Sequence, residues 1–70
     1  MIREPVASTN ILSLGYDPAS ETLEVEFSSG SIYQYYNVSA ALHEQLMKAP
    51  SKGQFLNAYI KNAHPFSRTG

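Results

Sequence analysis

His43 and His64 are the chain's two imidazoles, and neither has a second histidine at the i, i+4 spacing that would place two metal ligands on one helical face. The absence of cysteine excludes thiolate zinc sites, disulfides and thiol catalysis. A serine nucleophile would need a strained elbow of the Gly-x-Ser-x-Gly type with a base in reach, and no such run occurs. The serines instead fall in turns and at helix starts. Glu24 and Glu26 flank Val25 and project from one strand face, a spacing open to glycoside chemistry. A flat strand, however, provides no pocket to raise the pKa of either carboxyl. Solvent-facing strand residues that discourage aggregation account for the pair more simply. No catalytic residue, cofactor or metal site is therefore expected.

Two other groups of residues suit binding. Tyr33, Tyr35 and Tyr36 supply the kind of aromatic set that antiparallel sheets use to stack single-stranded bases. Ser51, Lys52 and Gly53 open a helix, where free backbone N–H groups and the helix dipole favour an anion and Lys52 adds a point charge. The plainer account of the same triplet is a capping serine.

The elements that must position these groups follow from periodicity. From Ile11 to Val38 the pattern has period two, cut by turn residues into three short strands. Ile11 to Tyr16 runs into Asp17-Pro18-Ala19-Ser20, a turn in which proline fixes φ and the aspartate bonds its own downstream backbone. Leu23, Val25 and Phe27 then alternate with Glu24 and Glu26, so the apolar and acidic residues take opposite faces. Ser28-Ser29-Gly30 reads as a three-residue hairpin loop with Gly30 at the left-handed position. That register sets Tyr33 across from Val25 and Tyr35 across from Leu23, on the apolar face, as core residues whose hydroxyls reach a partner. Tyr36 faces the other way and remains available.

After Val38 the period lengthens to that of a helix. Ser39 caps a helix with Leu42, Leu46 and Ala49 on its inner stripe, and Pro50 ends it. Ser51 and Gln54 form a capping box for a second helix running to about Asn62. Its apolar stripe is Phe55, Leu56, Tyr59, Ile60 and Ala63, with Gln54, Asn57 and Lys61 on the opposite side. Strands followed by helices, without β-α-β alternation, predict an α+β fold: a three-stranded antiparallel β-meander followed by two α-helices packed on one face, in the order β-β-β-α-α.

Seventy residues support one domain, with its core at about residues 6–66, and are too few for a large internal cavity. Hydrophobic content of 43% with 16% charged residues is globular composition and not that of a disordered chain. No apolar run is long enough for a signal peptide or a membrane span, so a cytoplasmic location is expected. On that basis the sequon Asn37-Val38-Ser39 is a chance match. Net charge is −1, but all six acids precede residue 45, whereas four of the five bases, Lys48, Lys52, Lys61 and Arg68, follow it. Such segregation can survive folding as a positive face that attracts a polyanion. Strands that show glutamate to water and helices that show lysine would explain it more simply.

The ordered set Ser8 to Ile11, Gly15-Tyr16-Asp17, Leu23, Val25, Phe27, Gly30, Tyr33-Gln34-Tyr35, and Ser51-Lys52-Gly53 with Phe55, Asn57 and Ile60 resembles the KTSC domain, a family named for the C-terminal extension of some lysyl-tRNA synthetases. The resemblance spans nearly the whole chain. Two positions depart from the family pattern: Ser39 follows Val38 where proline is usual, and His64 precedes Pro65 where an aromatic residue is usual. The resemblance implies a small bacterial or phage-type domain, non-enzymatic, with RNA, either tRNA or single-stranded, as the suggested partner. It carries over no catalytic residues. The residues themselves supply the nucleic-acid contacts: Lys48, Lys52, Lys61 and Arg68 for phosphates, Ser51, Gly53 and Asn57 beside them, and Tyr36 for stacking. The alternative is a protein–protein interaction module that uses an exposed sheet face or edge, anchored by Ile32 and Tyr36. Neither composition nor pattern fixes the oligomeric state.

Overall fold

Alternating strands and capped helices assemble, in a computed structural model that describes all 70 residues, around one antiparallel sheet. The elements are β1 (Arg3–Pro5), β2 (Ile11–Asp17), β3 (Thr22–Phe27), β4 (Ile32–Tyr35), α1 (Ala40–Lys48), α2 (Lys52–Tyr59) and β5 (Phe66–Arg68). The sheet order is β1-β2-β3-β4-β5, so the meander has five strands rather than the expected three. The additional strands are its two edges, each three residues long. Neither is long enough to establish a period of two. β1 also contains Pro5, which an edge strand tolerates because its missing N–H faces away from the ladder. After α2 the chain returns through Pro65 to pair β5 with β4, setting Arg68 opposite Tyr33, Ser67 opposite Gln34 and Phe66 opposite Tyr35.

The central register is the one that the alternation implies, with Val25 opposite Tyr33 and Leu23 opposite Tyr35. It is fixed by the three-residue loop. Phe27 N–H donates to the Ser31 carbonyl at 2.9 Å, Gly30 N–H donates to the Phe27 carbonyl at 2.9 Å, and Gly30 takes φ 94°, where a side chain would be strained. In the preceding turn, Asp17 accepts from the Ala19 amide at 3.1 Å and from the Ser20 hydroxyl at 2.9 Å. An irregularity between Ile11 and Ser13 lets Ile11 face the core while Leu12 stays exposed.

Both helices begin where their serines cap them. Ser39 Oγ accepts from Leu42 N–H at 3.1 Å, and Ser51 Oγ from Gln54 N–H at 3.4 Å. The helices lie on the apolar face and close a core of Ile11, Leu14, Leu23, Val25, Tyr35, Val38, Leu46, Leu56 and Ile60. Tyr16 and His43 join α1 to the sheet, their rings stacked 4.2 Å apart and nearly parallel, and the Tyr16 hydroxyl donates to the Val38 carbonyl at 2.6 Å. α2 ends at Tyr59, earlier than Asn62, because Ile60 leaves helical backbone angles (φ −120°, ψ −49°) and both Ile60 and Lys61 donate to the Leu56 carbonyl. The predicted inner stripe breaks there. Ile60 is buried, but Tyr59 is 59% exposed and packs against Phe55 at 4.7 Å. No helix is long and apolar enough to cross a membrane.

Candidate nucleic-acid interface

The early end of α2 leaves part of the apolar sheet face without a helical roof. A groove of about 470 Å³ opens beside the residues that follow the helix, with Phe27, Tyr33, Tyr35 and Phe66 as its aromatic floor and Lys61 and Asn62 at its rim. Its size falls within the range of ordinary small-ligand sites. Phe27 meets Tyr33 edge to face at 5.7 Å, and Phe66 is tilted against both Tyr33 and Tyr35 at 5.9 Å. Tyr35 is 1% exposed, Tyr33 is half-buried and Phe66 is 57% exposed, so the floor grades from core to surface. The hydroxyls of Tyr33 and Tyr35 were expected to bond within the fold, but they have no partner there. Both residues line the groove, Tyr35 at its buried end.

Two cations flank these rings. Lys61 Nζ lies 5.9 Å from the centre of the Phe27 ring, within cation–π range. Arg68 is the cross-strand partner of Tyr33 and therefore shares its face, with Nε donating to the Gly70 carbonyl at 2.9 Å. The remaining positively charged positions lie elsewhere. Lys48 and Lys52 sit at the α1–α2 junction, roughly the length of α2, about 12 Å, from Lys61. Lys48 is ion-paired with Glu44 at 2.8 Å, and Lys52 Nζ reaches the Ala49 carbonyl at 3.4 Å. Ser51 is occupied as a helix cap and Asn57 is exposed on α2. Gly53 is buried, and a Cβ there would stand 2.5 Å from Asn10 Oδ1, so it serves the close approach of α2 to that loop. The candidate contacts thus divide between the two ends of α2 and do not form one stripe along it.

Tyr36 lies on the opposite, unroofed face of the sheet, inside a hydrogen-bonded network that crosses all five strands. Its hydroxyl donates to Gln34 Oε1 at 3.3 Å and shares a 2.5 Å hydrogen bond with Ser67. Gln34 Nε2 donates to Glu24 Oε1 at 3.1 Å, and Arg3 pairs with Glu24 Oε2 at 2.7 Å. Arg3 Nε also donates to Ser13, which donates in turn to Glu26 Oε1 at 2.9 Å. The two glutamates, expected to face solvent, are instead half-buried and bonded. Burial opposes the ionisation of Glu24, but the hydrogen bonds from Gln34 and Arg3, with the Arg3 charge, overcome it and hold the carboxyl below its ordinary pKa. A carboxylate so stabilised is a poor general acid. Burial likewise lowers the His43 pKa despite the opposing Glu4 charge, and raises those of Tyr16 and Tyr35. No three metal-ligating side chains come together.

The alternating pattern puts Tyr33 in the core, whereas it is half-buried at the groove floor, and Phe66 and Asn62 are not among the contacts that the sequence predicts. The usable signal was an aromatic directly after Pro65, a residue type and position suited to a returning edge strand.

Comparison with known proteins adds the family context. A solved KTSC domain protein from Yersinia pestis superposes with a TM-score of 0.95 at 40% identity, covering 99% of this chain and 97% of that one. An uncharacterised protein of Stutzerimonas stutzeri is 42% identical over 64 residues, 91% of this chain and 90% of its own length. A lysine–tRNA ligase of Nostoc sp. is 43% identical over 53 residues, and a second from Nostoc punctiforme is 41% identical over 58. The matched stretch is 76% of this chain in the first case and 83% in the second, but only 9% and 10% of the ligases. The KTSC domain model itself matches residues 7–64, and with these relatives it establishes that the chain belongs to the KTSC domain family.

Proposed function

We propose that this domain is a cytoplasmic, non-enzymatic RNA-binding module, and that single-stranded RNA enters the groove beside the end of α2. The observation that carries the proposal is the combination, on one sheet face, of partly open aromatic rings with Lys61 and Arg68 beside them. Rings stack unpaired bases whatever their identity, and the cations answer the backbone phosphates. The match to segments of lysine–tRNA ligases, whose name makes tRNA their substrate, supports RNA over other polyanions. A tRNA offers single-stranded ends and loops to such a groove.

The sheet-edge alternative has weaker support. Both edge strands are three residues long and β1 carries Pro5, features that blunt an edge against further pairing. Of the anchors it would use, Tyr36 is bonded to Gln34 and Ser67, and the Ile32 backbone bonds to Thr69 and Gly70.

The test is an amide-shift titration of the labelled chain with a short single-stranded RNA and with tRNA, each at low and at moderate salt. The expected result is shifts at Ser28–Ser31, Tyr33, Lys61, Asn62 and Phe66 that weaken as salt rises. The absence of shifts with either RNA at low salt would remove the proposal.

A further inference from the structure

The groove contains more than rings and charge. Its polar lining comes from Asn10 and Asn62, from Ser28, Ser29 and Ser31, from Lys61 and from the phenols Tyr33 and Tyr35, with no aspartate or glutamate among them. Hydroxyls donate or accept and so pair with any base edge, which leaves the two carboxamides as the groups with a fixed donor and acceptor side by side. Cytosine presents an amino donor at N4 that is best met by a carboxylate acceptor, and none is present. Guanine is read most effectively by the forked donors of arginine or by lysine at O6 and N7. Of the two cations beside the rings, Lys61 lies over the Phe27 ring, suited to a phosphate, and Arg68 does not line the groove, its Nε being bonded to the Gly70 carbonyl. A carboxamide offers one donor next to one acceptor, the complement of adenine's N6 amino group and N7.

The two carboxamides are not equivalent. Asn10 Oδ1 already accepts from the Ser8 hydroxyl at 3.3 Å and is wedged against Gly53. Asn62 is exposed at the rim, in the turn after α2, and its carboxamide has no partner within the chain. It is also next in sequence to Lys61, and both residues line the groove.

We propose that the groove selects adenine in single-stranded RNA, with the base packed on Tyr33 and Phe66 and its N6/N7 edge paired with the Asn62 carboxamide. This rests on the RNA-binding reading above and adds base selection to it. Tyr33 and Phe66 are then tolerant of base identity, whereas Asn62 is not. Lys61 contributes to every RNA equally.

The test compares oligouridylates of roughly eight nucleotides that carry a single central adenine, cytosine or guanine, or none, by fluorescence anisotropy with the full chain at fixed ionic strength. The adenine-bearing oligomer should bind about tenfold tighter than the all-uridine one. Asn62→Ala, at an exposed position, should bring the ratio of adenine-bearing to all-uridine affinity to about one, and Lys61→Gln should weaken all four oligomers while leaving that ratio at about tenfold. Equal binding of all four, still lost in Tyr33→Ala, would overturn adenine selection and leave RNA binding in place. A preference for guanine, or an adenine preference that survives Asn62→Ala, would overturn it as well. No binding of any oligomer would remove both readings.

Discussion

Tyr33 and Tyr35 stand two residues apart on one strand face, yet their surroundings assign them different work. Tyr35 is 1% exposed between Leu23 and the helices, whereas Tyr33 is half-buried at the groove floor. Tyr35→Ala should therefore cost about 3–5 kcal/mol of stability, the usual loss for a large buried ring, as read by urea denaturation. Tyr33→Ala should leave most of the stability intact and cost about 1–3 kcal/mol of RNA affinity, the contribution of one stacked base. Glu24 presents a comparable contrast on the other face. Its folded pKa is depressed, so its stabilising contribution is complete above the ordinary glutamate range and is lost as pH falls through the folded value. Glu24→Gln should lower stability at neutral pH by about 1–3 kcal/mol, because a charge-assisted pair with Arg3 is lost. The same variant should flatten the acid limb of the stability profile, measured by denaturation at a series of pH values. An unchanged acid limb would mean that other carboxylates control it.

The strands that periodicity located and those it missed differ in length and in what holds them. β3 was legible because Leu23, Glu24, Val25, Glu26 and Phe27 alternate without a break, and the hairpin register followed from Gly30 alone. β1 and β5 have three residues each and are held by long-range partners, a kind of information that local pattern does not contain. The end of α2 was misjudged for the same reason, since Tyr59 to Ala63 keep a helical pattern while the backbone turns at Ile60 to bring His64 Nδ1 within 3.0 Å of the Tyr36 carbonyl. For β1 the long-range partner is Gly15. A Cβ there would stand 2.9 Å from the Ile2 carbonyl oxygen, which is backbone and cannot swing aside. Gly15→Ala should push β1 away from β2, destabilise the fold by about 1–3 kcal/mol as overpacked sites do, and release Arg3 from Glu24. The second effect can be read separately. The Glu24 carboxyl resonance should titrate closer to the ordinary glutamate value in the variant, and a titration identical to wild type would show that β1 stays docked.

Taken together, the elements determine how a nearly neutral chain distributes its few positive charges, which the linear sequence could not foretell. Segregation of the bases into the C-terminal third is visible in the sequence, but it suggests a single basic helical face that unites Lys48, Lys52, Lys61 and Arg68. Folding divides that group, because β5 carries Arg68 back beside Tyr33 while Lys48 and Lys52 remain at the far end of α2, one paired with Glu44 and the other turned to the Ala49 carbonyl. The salt dependence of RNA binding counts the phosphates neutralised, with a slope of roughly −0.7 per contact for single strands. If Lys61 and Arg68 act alone, log K against log salt should fall with a slope of about −1.4, and if all four bases act it should be about −2.8. We expect the shallower value. Removing Lys48 and Lys52 together by glutamine substitution should leave both slope and affinity nearly unchanged. Removing Lys61 should reduce the slope by about 0.7, because one phosphate contact is lost. A steep slope that the Lys48 and Lys52 substitutions flatten would mean that the RNA runs the length of α2, past Asn57 and the Ser51 cap, and that the groove is only one end of its path.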